Sequence, residues 1–165
     1  MITIVSGTNR PGNRTRRLVQ YYQDALSERA VEGKLLLLEG VDLNRRTPEL
    51  EQIEQRLLIP ADKFIFILPE YNGSFPGAVK TFIDLCHPEC FSGKKALLTG
   101  LADGRAGNLR GMEHFTGILN HMNVVVHPFK LPISVFKRLL NEQGELIDEA
   151  TRKAINKQLT EFLAF

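Results

Sequence analysis

The sequence predicts a three-layer α-β-α fold in which five parallel strands, in the order 2-1-3-4-5, carry helices on both faces. Two observations predict it. Short apolar runs alternate with amphipathic stretches along the whole chain, five of each, as in a parallel sheet covered on both sides. Right-handed crossovers then leave few topologies, and at 165 residues this doubly wound order is the one that fits.

Each element has its own signal. Ile2–Ser6 reads as strand 1, and Thr15–Arg29 as helix 1, with Leu18, Tyr21, Tyr22, Ala25 and Leu26 at helical spacing. Gly33 is expected to stop that helix before strand 2, Lys34–Glu39, with its leucine run Leu35–Leu38. Thr47-Pro48-Glu49 is a helix start: a capping threonine, a proline in the first helical position and an acid in the first turn. Helix 2 then runs to about Leu58, where Pro60 breaks it. Strand 3 is Lys63–Leu68, rich in aromatic and β-branched residues, and Pro76 opens helix 3 with Val79, Phe82, Ile83 and Cys86 on one face. Lys95–Thr99 is strand 4, and a glycine-rich loop, Gly100–Asn108, leads to helix 4, Leu109–Met122, striped by Leu109, Met112, Phe115, Leu119 and Met122. Val124–Val126 begins strand 5, extended irregularly to Ser134 because Pro128 and Pro132 remove ladder donors. The last helix, Asp148 to about Phe162, turns Ala150, Ala154, Ile155, Leu159 and Phe162 inward.

The chain is most simply one domain, 1–165, large enough to need no disulfide or metal for stability. Hydrophobic content of 43% and charged content of 24% are ordinary for a globular protein. Twenty-one Lys and Arg against nineteen Asp and Glu leave a net charge of +2, too balanced to imply nucleic acid or a membrane surface as partner. Strand 1 follows Met1 directly, so no signal peptide is expected, and no apolar run approaches the ~18 residues of a membrane span. With two cysteines, the cytoplasm is the expected compartment.

Strands 1, 3 and 4 are neighbours in the predicted order, and their C-terminal loops are the ones rich in Gly, Asn, Arg and hydroxyl side chains, where an open α/β sheet binds ligands. The loop after strand 2 reads as an ordinary connection. In the first loop, Gly7-Thr8-Asn9-Arg10-Pro11-Gly12-Asn13-Arg14-Thr15, Gly7 permits the tight turn and Thr8, Asn9 and Asn13 offer donors. Arg10 suits a paired contact to phosphate oxygens, and Thr15 stands where the helix begins. The loop lacks both G-x-x-x-x-G-K-S/T and G-x-G-x-x-G, which excludes triphosphate and dinucleotide loops of those types. A phosphate cradle and a plain βα turn with an exposed arginine both remain open for it.

The second loop, Pro69-Glu70-Tyr71-Asn72-Gly73-Ser74-Phe75-Pro76-Gly77, resembles the P-E-Y-N-x-S-x-P-G segment of the NAD(P)H-dependent FMN reductase family, flavoenzymes of flavodoxin-like fold. Val79-Lys80-Thr81-Phe82-Ile83-Asp84 is similar to that family's continuation, L-K-N-A-I-D. The first loop resembles its phosphate loop, with Asn13 where the family favours serine. Ala102-Asp103-Gly104-Arg105-Ala106-Gly107-Asn108 is similar to its S-x-G-x-x-G-G, with Ala102 for the serine and Asn108 for the last glycine.

The resemblance implies bound FMN, with NADPH or NADH as electron donor. Thr8, Arg10, Asn13 and Thr15 would hold the phosphate, and Pro69, Glu70, Tyr71, Asn72 and Gly73 would line the isoalloxazine ring. Gly104, Arg105 and Gly107 would approach its pyrimidine end. The implied activity is hydride transfer from the nicotinamide to the flavin and on to a small acceptor such as a flavin, quinone or azo dye. The cofactor carries that chemistry, so no catalytic acid, base or nucleophile is assigned. A non-catalytic flavodoxin-like FMN carrier is the alternative. Apolar residues spread around helix 3 (Ala78, Val79, Phe82, Ile83, Leu85) suggest a homodimer surface, and a homotetramer is equally open. Cys86-His87-Pro88-Glu89-Cys90 lacks the second ligand pair of a structural zinc site, so no metal is assigned.

Overall fold

A computed structural model describes residues 1–165. Its helices are α1 (Thr15–Ser27), α2 (Pro48–Ile53), α3 (Gly77–Leu85), α4 (Leu109–His121) and α5 (Glu149–Ala164). The strands are β1 (Ile2–Ser6), β2 (Gly33–Leu37), β3 (Lys63–Pro69), β4 (Lys95–Leu101), β5 (Val125–Val126) and β6 (Leu131–Ile133). All pair in parallel in the order β2-β1-β3-β4-β5, with β6 also on β4. The flavodoxin-like α/β prediction therefore holds.

Strand alternation splits the core in two. Phe64, Phe66 and Leu68 of β3 pack with Val5, Ala96 and Leu98 against α3 and α4. Ile65 and Ile67 face the other way, with Ile2, Ile4 and Leu97, against α1 and α5. Both faces of the central strands are dry, which is why they read as continuous apolar runs.

The fifth strand differs from the prediction. Thr99, Gly100 and Leu101 pair with β6, and Lys95 and Ala96 pair with β5, but Leu97 and Leu98 pair only with β3 and have no strand partner on this side. Gln158 of α5 fills the gap: its Nε2 donates to Leu98 O at 3.1 Å and Phe129 O at 2.9 Å. Its Oε1 accepts from the Tyr22 hydroxyl at 2.7 Å and Thr99 Oγ1 at 3.1 Å.

Other bounds shift for local reasons. Helix 1 ends two residues early because Ala30 turns left-handed (φ 54°) and Val31 N–H caps Leu26 O, so Gly33 opens β2 rather than stopping the helix. Helix 2 widens into a π-helical turn at Glu54–Leu58, closed by Ile59 N–H on Glu54 O. Leu109 is half exposed on α4, and Ala150 is exposed on α5, so neither belongs to its helix's buried face. On α3 the outward positions are polar: Lys80, Thr81 and Asp84 are exposed, with Lys80 paired to Asp84 at 2.6 Å.

Candidate functional site

The first loop leaves β1 at Gly7, whose N–H donates to Ile67 O at 2.8 Å. A Cβ at Gly7 would meet Leu68 Cδ2 at 2.7 Å and Ile67 O at 2.8 Å, so only glycine lets the loop cross the end of β3 this closely. Asn13 then fastens the loop from within. Its Nδ2 donates to Arg10 O (2.7 Å) and to Glu39 Oε2 (3.2 Å), and its Oδ1 accepts from Arg16 N–H (3.1 Å), which caps α1. Glu39 also accepts from Gly12 N–H at 3.3 Å. The connection after β2 is thus part of the loop's architecture, contrary to the sequence expectation.

With the Asn13 amide committed, other donors face the cleft. The backbone N–H groups of Asn13, Arg14 and Thr15 have no protein acceptor, and neither has the Thr15 hydroxyl. Arg14 Nη1 reaches Asp103 Oδ2 at 3.3 Å across the cleft. The Arg10 guanidinium has no carboxylate partner and lies 3.8 Å from the centroid of the Tyr71 ring.

The second loop is a tight turn. Tyr71 N–H donates to Ser74 O (2.9 Å) and Ser74 N–H to Tyr71 O (3.2 Å), around Asn72 (φ 53°) and Gly73 (φ 79°). Positive φ at both central residues is the type I′ arrangement that Asn-Gly favours. The turn points Tyr71 back over the first loop, where its hydroxyl bonds Thr8 Oγ1 at 2.6 Å. Ser74 Oγ lies 2.9 Å from His114 Nδ1 on the outer side.

The third loop is held from below. Asn108 adopts φ 61° and donates from Nδ2 to Leu68 O (2.9 Å) and Pro69 O (3.1 Å), tying the start of α4 to the tip of β3. Val135 N–H bonds Gly104 O and Phe136 N–H bonds Ala102 O, each at 3.0 Å. Val135 itself is left-handed at φ 46°, a strained state for a β-branched residue, and this places Phe136 in the cleft wall.

Together these loops enclose a cleft of about 370 Å³ lined by Arg10 to Thr15, by Pro69, Glu70 and Tyr71, and by Leu101, Ala102, Asp103 and Phe136. That volume lies within the roughly 300–1,000 Å³ of small-molecule sites. Of the residues singled out in the sequence, Arg10, Asn13, Thr15, Pro69, Glu70 and Tyr71 come together on its wall. Thr8 is buried directly beneath, on the Tyr71 hydroxyl. Asn72 and Gly73 form the turn at the edge, and Gly104 and Arg105 are exposed beyond Asp103. Gly107 is buried against β6, where a Cβ would meet Ile133 N at 2.6 Å. The sequence reading missed Glu39, whose acidity gave no sign of its role, and Phe136, which lay in a segment without periodicity.

The three loops all fall within residues 1–135, and those residues match the NADPH-dependent FMN reductases. The chain belongs to that family. An NAD(P)H-dependent FMN reductase of Pseudomonas aeruginosa is 36% identical over 118 residues, covering 68% of this chain and 62% of that protein. A quinone reductase of Escherichia coli is 31% identical over 120 residues, covering 70% of this chain and 61% of its own. The chain therefore spans less than two thirds of the length of either relative. Among solved structures, FerB, a flavoenzyme NAD(P)H:acceptor oxidoreductase of Paracoccus denitrificans, has the same fold, with a TM-score of 0.78 at 21% identity over 99% of this chain and 94% of that one.

Within this FMN reductase family member, the substitution of Asn108 for glycine has a structural reason. Asparagine tolerates the left-handed backbone and adds two bonds to the tip of β3 that glycine lacks. The Cys86 and Cys90 thiols are free and buried; burial pushes Cys90 up to about 11 and Cys86 up as well, so neither is a thiolate at neutral pH. No group of three or more His, Cys, Asp or Glu side chains is placed to hold a metal ion. No helix is long and apolar enough to cross a membrane.

Proposed function

We propose that the cleft holds FMN and that the protein is a cytoplasmic NAD(P)H-dependent oxidoreductase delivering electrons to a small acceptor, a flavin, a quinone or a similar compound. One observation carries the reading: Asn13, Arg14 and Thr15, whose backbone N–H groups have no protein acceptor, line the cleft at the start of α1 with the unpaired Thr15 hydroxyl, beside an Arg10 that has no carboxylate partner. That donor set fits a phosphate monoester at a helix N-terminus. The names of the relatives support a flavin behind the phosphate.

When bound, FMN supplies the hydride-accepting and hydride-donating chemistry. This chain's residues do the holding. Arg10 and the Asn13–Thr15 segment grip the phosphate, with Thr8 fixing Tyr71 beneath it. Pro69, Glu70 and Tyr71 wall the ring, while Asn72 and Gly73 set the turn that aims Tyr71. Gly104 and Arg105 stand at the rim on the pyrimidine side, and Gly107 supports them by packing under β6. No side chain is asked to act as acid, base or nucleophile. A homodimer or homotetramer belongs to the same reading and is tested by light scattering.

The test is spectroscopic. Protein incubated with FMN and desalted is expected to stay yellow and to bleach anaerobically with NADPH or NADH. A colourless product overturns the reading. A yellow protein that no nicotinamide bleaches is instead an electron carrier.

A further inference from the structure

A second groove of about 360 Å³ adjoins the cleft and shares Gly12, Asn13 and Arg14 with it. Its far wall is Lys137 and the hairpin Leu140–Gly144, which lies beyond the residues matching the family. That hairpin is well fixed: Leu140 bridges Leu146, Gly144 N–H donates to Asn141 O at 2.9 Å, and Glu145 N–H to Asn141 Oδ1 at 2.8 Å.

Three cations border the groove. Arg17 projects from the first turns of α1 and packs against Gly144 (φ 80°), where a Cβ would meet its Nε at 2.9 Å. Neither Arg17 nor Lys137 has an ion pair or hydrogen-bond partner, and Arg14 is shared only with exposed Asp103. Glu142 is the one carboxylate on the lining. Arg17 and Lys137 thus stand unpaired on the lining beside one lining acid, while Glu39 and Glu145 lie behind it, spent on hydrogen bonds from Gly12, Asn13 and Asn141. The groove's chemistry suits a phosphate monoester carried by the molecule that enters the cleft.

We propose that this groove takes the 2′-phosphate of NADPH, making Arg17 and Lys137 the residues that set preference for NADPH over NADH. The inference rests on the oxidoreductase reading for its substrate. Arg14 reaches both spaces, so it is adjacent to both phosphates, whereas Arg17 and Lys137 touch only the groove. The contacts are partly solvated and weaken with ionic strength.

The experiment is calorimetric titration of the protein in excess FMN, at low salt, with adenosine 2′,5′-bisphosphate and with 5′-AMP. Wild type is expected to bind the bisphosphate at least roughly tenfold more tightly. Arg17→Gln and Lys137→Gln should each erase about three- to tenfold of that difference. They should lower the NADPH-to-NADH ratio of kcat/KM by the same factor, through KM. Both side chains are exposed and unbonded, so the variants are expected to fold, which circular dichroism checks. Equal affinity for the two nucleotides overturns the proposal, as does a preference that survives the double variant. If the preference is present and lost in the variants while the protein takes up no FMN, the groove stands and the flavin reading fails.

Discussion

Asn108 shows how much a single residue holds in place here. Its backbone sits at φ 61°, its Nδ2 binds two carbonyls at the tip of β3, and its buried Oδ1 has no partner. The Nδ2 bonds and the left-handed turn therefore outweigh an unsatisfied oxygen. Asn108→Ala is expected to cost about 2–3 kcal/mol, from two lost bonds and left-handed strain. Asn108→Gly should recover about 1 kcal/mol of that, the backbone part alone. Urea denaturation of the two variants checks it; equal stabilities would mean the backbone conformation is irrelevant. Glycine-rich patterning made this loop legible in the sequence, but not which residue turns left-handed. Tyr71 is similar: the second loop's motif marked the residue, while the turn that aims it and the ring's seat between Arg10 and Thr8 depend on strands far apart in sequence.

At the scale of elements, the legible parts were those whose physics is local. β1, β3 and β4 are buried on both faces and wrote themselves as apolar runs, and Thr47 with Pro48 announced α2. The split of the fifth strand was not legible, because a glutamine 60 residues away from Leu98 completes it. Gln158→Leu keeps the volume but strands Leu98 O and Phe129 O, and removes the acceptor for Tyr22 and Thr99. A loss of about 3 kcal/mol or more is expected by chemical denaturation. Adding Tyr22→Phe should cost less than it does in the wild type, since both act in one network. The π-helical turn has a comparable purpose. It carries buried Glu54 to Arg46, which donates from Nη1 at 2.9 Å and also from Nη2, and to His87 N–H at 2.8 Å. The Arg46 bond, above all, holds the Glu54 carboxyl below its ordinary value. Its stabilisation is therefore complete above the unfolded glutamate range near 4.3 and lost as pH falls through the lowered folded value. Melting temperature should drop over that acidic window, and less steeply in Glu54→Gln.

For the whole molecule, the proposed ligand would be gripped by loops from three adjacent strands and by the segment after β6, so binding should stabilise the entire fold rather than one loop. Ligand at a hundredfold excess over its dissociation constant adds about 2.7 kcal/mol. For a domain of 150–250 residues each kcal/mol raises Tm by about 2–4 °C, so FMN should raise it by roughly 5–10 °C. Riboflavin lacks the phosphate and leaves the N–H groups of Asn13, Arg14 and Thr15 unpaired. It should raise Tm much less at the same concentration. Arg10→Ala removes a charge-assisted contact, typically about 1.5–3 kcal/mol, and weakens FMN tenfold or more. The FMN-induced rise should then shrink to about half or less, while the riboflavin response stays near its wild-type size. The comparison separates the two ends of the cleft. If riboflavin protects as well as FMN, the first loop does not bind phosphate, whatever the ring loop does. If neither flavin moves the melting point, the tips of β1, β3 and β4 form a cleft for something else.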